Sequence, residues 1–254
     1  MKISTNLLLH DMVRPGDHTF ALGECKSRPV TVLPDQNSRL VFLTDPNGLA
    51  VEQYKMLRRR LCSQHPLGGL LLVTSPSASE GKTLTSINLA WCLADGGLPT
   101  CLVDLDFRSP GVAPVLAWEP GEDAVEEVLG GRRKLSQALR PVGDRPLHVL
   151  GIQQRVASPA ALLRADVLGP MLKELRSMFG WVVLDLPPAI PIADVAEVLP
   201  HVDGALLVVR SGKTEKSLLS APVEILGAKL WGAVLNEVPV AGSAYYGTYG
   251  DKKR

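Results

Sequence analysis

From Leu70 onward the aliphatic residues come in short runs: Leu70 to Thr74, Thr100 to Asp104, Leu147 to Gly151, Trp181 to Leu186, Gly204 to Val209 and Trp231 to Asn236. Polar positions do not alternate with apolar ones inside these runs, so both faces suit burial. That is the pattern of parallel strands covered by helices on two sides. Helical stretches separate the runs, and the predicted architecture is a three-layer α/β sandwich on an open, mostly parallel sheet. Upstream, the turn signal Asp45-Pro46-Asn47-Gly48 precedes a predicted helix from Val51 to Cys62, where Glu52, Lys55 and Arg58 are spaced by three and share a face. Residues 1–44 lack a sustained period and carry Pro15, Gly16, Pro29 and Pro34, which suits an irregular arm. The aliphatic pattern ends near residue 240. Three of the four tyrosines, Tyr245, Tyr246 and Tyr249, lie in the polar segment 241–254. The expected organisation is an arm (1–44), one α/β domain (45–240) and a flexible tyrosine-bearing tail (241–254).

Composition narrows the function classes. The 254 residues carry 27 Lys and Arg against 26 Asp and Glu, so no long-range field draws the whole molecule to nucleic acid. Arg58-Arg59-Arg60 and Arg132-Arg133-Lys134 are short enough to be solvated faces or subunit contacts. Cys25, Cys62, Cys92 and Cys101 have no zinc or dithiol spacing, and the histidines show no ligand spacing. No uncharged apolar run approaches the ~20 residues that span a bilayer, and residues 1–30 lack the core and cleavage site of a secretory signal. A soluble cytoplasmic protein is expected.

The chemistry concentrates at three strand ends. Leu71-Leu72-Val73-Thr74 runs through Ser75-Pro76-Ser77-Ala78-Ser79-Glu80 to Gly81-Lys82-Thr83, after which Leu84, Ile87, Trp91 and Ala94 recur at helical spacing. A helix mouth of this kind directs unpaired N–H groups and a positive dipole end at an anion. Gly81 permits close backbone approach, Lys82 reaches β and γ phosphates, and the Thr83 hydroxyl can ligate Mg²⁺. Pro76 occupies the position of the first glycine in the general phosphate-loop pattern. Asp104 and Asp106 end one apolar run, and Asp185 ends another. Ligands of open parallel sheets sit beyond the carboxyl ends of the strands, so these carboxylates are aimed at the loop. Mg²⁺ takes few carboxylates together with water and phosphate oxygens, and Mg·ATP is the expected ligand.

The segments Gly81-Lys82-Thr83, Asp104-Leu105-Asp106-Phe107-Arg108 and Asp185-Leu186-Pro187-Pro188 resemble the Walker A, A′ and B motifs of the bacterial tyrosine kinases of capsule and exopolysaccharide synthesis, the CpsD/CapB type. The similarity runs from about residue 45 to 240. Glu52-Gln53-Tyr54-Lys55-Met56-Leu57-Arg58 resembles the family's E-x-x-R-x-x-R helix of ring assembly, with Lys55 in place of arginine. Ser158-Pro159-Ala160-Ala161-Leu162-Leu163 resembles its P-x-E-L-L segment with Ala161 for glutamate, and Ser79 stands where the family loop often has glycine. The resemblance implies a P-loop NTPase fold of the MinD-like (SIMIBI) class. It also implies that Ser79, Glu80, Gly81, Lys82, Thr83 and Leu84 hold the nucleotide, with Asn236 on the adenine, and that Thr83, Asp104 and Asp185 hold Mg²⁺. Tyr245, Tyr246 and Tyr249 resemble the autophosphorylated cluster, and Glu52, Lys55 and Arg58 would join subunits in a ring. The implied partners are a separate transmembrane activator of the polysaccharide co-polymerase type, which recruits the protein to the inner membrane face, and a cognate tyrosine phosphatase.

The implied reaction moves the γ-phosphoryl group of ATP to tyrosine. Lys82 and Mg²⁺ balance charge, and Asp106 orients the hydroxyl and accepts its proton. Asp104 and Asp106 are interchangeable in these roles at the level of sequence. The dozen or so residues after Asn236 span roughly 40 Å when extended, enough for Tyr249 to meet its own site or a neighbour's. Two other readings share the motifs. A Min- or Par-type ATPase switch carries a signature lysine early in the loop, where this chain has Ser77. A nucleotide-binding scaffold without catalysis differs only in activity.

Overall fold

In a computed structural model of the chain, residues 29–32, 39–191 and 193–239 are described. Tyr245, Tyr246, Tyr249 and most of the expected arm lie outside them. The strands are β1 (Gly69–Thr74), β2 (Thr100–Asp104), β3 (Arg140–Pro141), β4 (Leu147–Leu150), β5 (Trp181–Asp185), β6 (Gly204–Arg210) and β7 (Leu230–Asn236). They form a seven-stranded sheet in the order β3-β4-β2-β5-β1-β6-β7, parallel throughout except for β3 against β4. The helices are α1 (Val41–Thr44), α2 (Leu49–Gln64), α3 (Lys82–Asp95), α4 (Val112–Val115), α5 (Val125–Leu129), α6 (Leu135–Ala138), α7 (Ala160–Leu163), α8 (Ala165–Met178), α9 (Asp194–Val198) and α10 (Ser220–Leu226).

Side chains of successive strand residues point to opposite faces, which divides the core in two. Leu71 and Val73 of β1 pack with Leu102, Val183 and Val208 under α2 and α3. Leu70 and Leu72 pack with Val103, Val182 and Leu207 against α8 and α9. Helix α3 lies deepest, with every residue from Thr85 to Ala94 buried. This gives the predicted three-layer α/β/α arrangement. β3 was not predicted: it is two residues long, contains a proline and carries no apolar run.

Described parts of the 1–44 segment are tied to this domain. Val30 is buried and bridges Val142. The Val41 amide donates to Asn88 Oδ1 at 3.0 Å, while Asn88 Nδ2 donates to the Arg39 carbonyl at 3.2 Å. At the far edge, Trp231 of β7 lies over Gly204 of β6, stacks on His65 with centroids 3.4 Å apart and meets Trp181 edge-on.

Three parallel neighbours, β2, β5 and β1, end together. Register sets Val73 and Asp104 each beside Asp185, so one rim of the sheet carries the phosphate loop and the acidic strand ends.

Candidate active site

β1 delivers the chain into the loop, and Gly81 turns it into α3. Gly81 has φ +88°, in the left-handed region, and a Cβ there would overlap the Asn236 side-chain amide. Glycine is required for both reasons. Ser79 also has positive φ, +64°, so the serine carries about 1 kcal/mol of backbone strain. The loop is pinned from below. The Glu80 carboxylate, 4% exposed, accepts hydrogen bonds from the Ser77 hydroxyl, the Arg210 amide and the Thr214 hydroxyl. The Glu80 carbonyl accepts from Asn236 Nδ2 at 2.9 Å.

At the helix mouth, Lys82 Nζ lies 2.6 Å from Asp106 Oδ2 and 3.8 Å from Asp185 Oδ2. The Thr83 hydroxyl donates to Asp185 Oδ2 at 2.7 Å, and the Ser86 hydroxyl donates to Asp185 Oδ1 at 3.0 Å. Lys82, Thr83, Asp106 and Asp185 therefore meet in one cluster. Burial pushes the Lys82 ammonium down, but the charges of Asp185 and Asp106 outweigh it and its pKa is raised. Burial raises the Asp185 carboxyl, while Lys82, Thr83 and Ser86 pull against the rise.

Asp104, expected to help hold Mg²⁺, bonds backbone amides. Its Oδ1 accepts the Asp106 amide, and its Oδ2 accepts the amides of Gly111 and Val112, each at 3.0 Å. A carboxylate has about four lone-pair sites, so most are spent holding the loop between β2 and α4. Burial, then the neighbouring Asp185, pushes its carboxyl up to about 7. Asn236, expected on the adenine, has its amide engaged, donating to the phosphate loop and accepting the Glu237 amide at 3.0 Å, so it also braces the loop. Leu84 is half-buried in the first turn of α3.

Of the expected ring-face residues, Glu52 and Lys55 are exposed and pair with each other at 2.7 Å. Arg58 is half-buried, and its Nη1 donates to the Cys92 carbonyl at 2.8 Å near the end of α3.

Several contributors were missed. Ser86 follows Lys82 by four residues and so shares its helix face, a signal that was legible. The Arg108–Asp194 pair, a fork at 2.9 and 3.0 Å, and the Glu80–Thr214 latch join residues 86 and 134 positions apart; no local pattern announces them.

The donor set fits Mg²⁺ with a triphosphate. A hydroxyl and a carboxylate adjoin an ammonium at a helix amino terminus, leaving coordination places for water and phosphate oxygens. Among the described residues no group of three or more His, Cys, Asp and Glu forms an all-protein metal cage.

No family model matches the chain. It is 32% identical over 219 residues to the tyrosine-protein kinase YwqD of Bacillus subtilis, covering 84% of this chain and 92% of that protein. The kinase domain of the Escherichia coli tyrosine kinase ETK superposes with a TM-score of 0.73 at 26% identity, over 89% of this chain and 95% of that one. The septum site-determining protein MinD of Pyrococcus horikoshii, complexed with Mg-ADP, superposes at 0.54 and 20% identity, over 65% and 69%. The MinD likeness, at this identity, is one of fold alone. The kinase likeness extends over more of each chain and includes the sequence. The chain therefore belongs to the CpsD/CapB-type family of bacterial tyrosine-protein kinases.

Proposed function

We propose that the protein is an ATP-dependent protein-tyrosine autokinase. In this reading residues 45–240 form the catalytic domain, and Tyr245, Tyr246 and Tyr249 of a neighbouring copy are the acceptors. The observation that carries the proposal is the cluster at the helix mouth, where Lys82 sits between Asp106 and Asp185 while Thr83 and Ser86 hold Asp185 in place.

Amides of Ser79 to Leu84 at the start of α3 receive the phosphates, and the positive helix end favours them. Mg²⁺ would be held by Thr83 Oγ1 and by Asp185, directly or through water, with Asp104 shaping the adjoining loop; bound there it supplies neutralisation of the charge shared by the β and γ phosphates. A triphosphate competes with Asp106 for the Lys82 ammonium. Lys82 then balances charge on the phosphates, and Asp106 is released to accept the proton of the incoming tyrosine hydroxyl. The bond from γ-phosphorus to the ADP oxygen breaks as the bond to the tyrosine oxygen forms, and ADP leaves. Because the transition state is loose, positioning and charge supply most of the acceleration.

Ser77 lies where Min-type switches carry a lysine, and its hydroxyl is turned inward on Glu80. That position serves the chain's own loop. Further proposals from family membership are ring-like self-assembly through the α2 face that carries Glu52 and Lys55, a separate transmembrane activator, a cognate tyrosine phosphatase, and control of exopolysaccharide polymerisation and export. Among the described residues no helix is long and apolar enough to cross a membrane, which suits recruitment by a partner.

The test incubates purified protein with Mg·ATP, with and without the cytoplasmic segment of the activator, and maps phosphotyrosine by mass spectrometry. Label is expected on Tyr245, Tyr246 and Tyr249 and absent from the Lys82→Met protein. ATP hydrolysis without phosphotyrosine in either condition would refute the proposal in favour of a switch or scaffold.

A further inference from the structure

Strand β6 runs further than its neighbour β1. Register sets Thr74, the last residue of β1, beside Leu207 of β6, which continues to Arg210. The chain then reverses in a tight turn, with Gly212 at φ +67° and the Lys213 and Thr214 amides both donating to the Arg210 carbonyl. Overrun and turn together put residues 210–214 against the phosphate loop. There the Thr214 hydroxyl donates to Glu80 Oε2, while the Arg210 amide donates to the same oxygen at 2.6 Å and to Thr214 Oγ1 at 3.1 Å. A hydroxyl has one proton and two lone pairs, so Thr214 closes this triangle as donor to Glu80 and acceptor from Arg210. A valine of the same shape could do neither.

The triangle holds the centre of the loop. Glu80 stands between Ser79 and Gly81, at φ +64° and +88°, and its carbonyl is bonded by Asn236. Side chain and carbonyl are thus both fastened, which keeps the flanking amides where phosphates are to be received. On charge alone Glu80 is an unfavourable group for an anion site. It is buried, and its carboxylate repels the phosphates of a triphosphate. The bonds it receives from Ser77, Arg210 and Thr214 come from two hydroxyls and an amide; the Arg210 guanidinium turns to Glu237 at 2.6 Å. With charge working against the ligand, what Glu80 offers the site is position, and Thr214 helps to set it.

We propose that Thr214, 134 positions from Glu80 in sequence, is a positioning residue of the nucleotide site and acts through the Glu80 carboxylate. It holds Ser79 to Gly81 in the shape that presents their amides to the phosphates, so the site extends to the turn after β6. This rests on the Mg·ATP reading above. Lys82, Asp106 and Asp185 are gathered by a separate set of contacts, made with one another, Thr83 and Ser86. Losing the Thr214 hydroxyl therefore weakens nucleotide binding and spares the chemical step: KM for ATP rises while kcat holds.

The test compares Thr214→Val, which keeps the shape and removes the hydroxyl, with Thr214→Ser, which keeps the hydroxyl. Each variant of the whole chain is titrated with a fluorescent ATP analogue in Mg²⁺ and assayed for phosphotyrosine formation at varied ATP, with thermal unfolding as the control for folding. A hydrogen bond to a charged group changes an equilibrium by about tenfold or more, so Thr214→Val should raise Kd and KM about tenfold, with kcat within about twofold. Thr214→Ser should recover most of the loss. Glu80→Ala should weaken binding by at least as much, and adding Thr214→Val to it should weaken it no further, the mark of two residues acting as a unit. A Thr214→Val Kd within about twofold of the unaltered protein, or equal losses in the valine and serine proteins, overturns the inference while the kinase reading stands. So does a fall in kcat with KM unchanged, or additive losses in the double variant. The expected pattern of Kd without any phosphotyrosine overturns the kinase reading and supports this inference. No nucleotide binding by the unaltered protein overturns the Mg·ATP reading, and this inference with it.

Discussion

Gly81→Ala strikes the phosphate loop at the point where the sequence pattern and the backbone geometry agree. The residue has φ +88°, and the added methyl would take the place of Asn236 Nδ2, which donates to the Glu80 carbonyl at 2.9 Å. Holding an L residue in the left-handed region costs about 1–2 kcal/mol. Displacing the Asn236 amide forfeits a hydrogen bond worth about 0.5–1.5 kcal/mol. The loop can relieve both by rotating out of the cradle, so an affinity that needs the cradle should fall by a comparable 2–3 kcal/mol or so, roughly 30- to 150-fold in Kd. The assay titrates a fluorescent ATP analogue in the presence of Mg²⁺, with thermal unfolding as the control for global stability. Adding Asn236→Ala to the variant removes the overlap and leaves the backbone strain, so affinity should return in part. A Gly81→Ala Kd within about threefold of the unaltered protein would refute the reasoning, since the cradle would then not depend on this backbone.

Three further outcomes follow from the geometry. Lys82→Met removes the cation set among Asp106 and Asp185; phosphotyrosine formation should fall by at least about a hundredfold in a radiolabel assay, the scale of losing one transition-state donor. Burial, with Asp185 adjacent, holds the Asp104 carboxyl up at about 7. Between about pH 4 and 7 the folded chain then keeps a proton that the unfolded chain has released, so this group's contribution to stability grows as pH falls through that window and is lost as pH rises to 7. Urea midpoints at several pH values should show that slope in the unaltered protein and lack it in Asp104→Asn. Gly204→Ala would drive a Cβ into the Trp231 indole; overpacking of about 1–3 kcal/mol should lower the melting temperature in differential scanning calorimetry, with the lifting of β7 seen as a shift in tryptophan fluorescence.

The strands and the phosphate loop were legible because their signals are local. Runs such as Leu70 to Thr74 and Trp181 to Leu186 are continuous in sequence, and β1 and β5 follow them to within a residue. That Asp104 and Asp185 end strands, with Asp106 two residues beyond β2, was also readable, since a carboxylate closing an apolar run reports on the rim of a parallel sheet. Which carboxylate meets the lysine was not readable. Asp104 and Asp106 differ by two positions, yet one bonds backbone amides and the other bonds Lys82. That choice is made by the curl of the 106–112 loop, a tertiary property. The bracing of the loop by Glu80, Thr214 and Asn236 was hidden for the same reason, because it joins β6, β7 and the phosphate loop across most of the domain. Arg58 shares a helix face with Glu52 and Lys55, but its length lets it reach the Cys92 carbonyl of α3. Spacing shows a shared face and cannot show which side chain finds an internal partner.

The account turns on phosphate passing from one copy's nucleotide site to another copy's tyrosines. A mixing assay with labelled ATP tests this directly. The donor carries phenylalanine at 245, 246 and 249 with an intact phosphate loop, and the acceptor carries Lys82→Met with its tyrosines intact and is distinguished by size. Label on the acceptor, rising with donor concentration and absent when either partner is left out, is the predicted result. A mixture that hydrolyses ATP yet leaves the acceptor unlabelled would contradict the account.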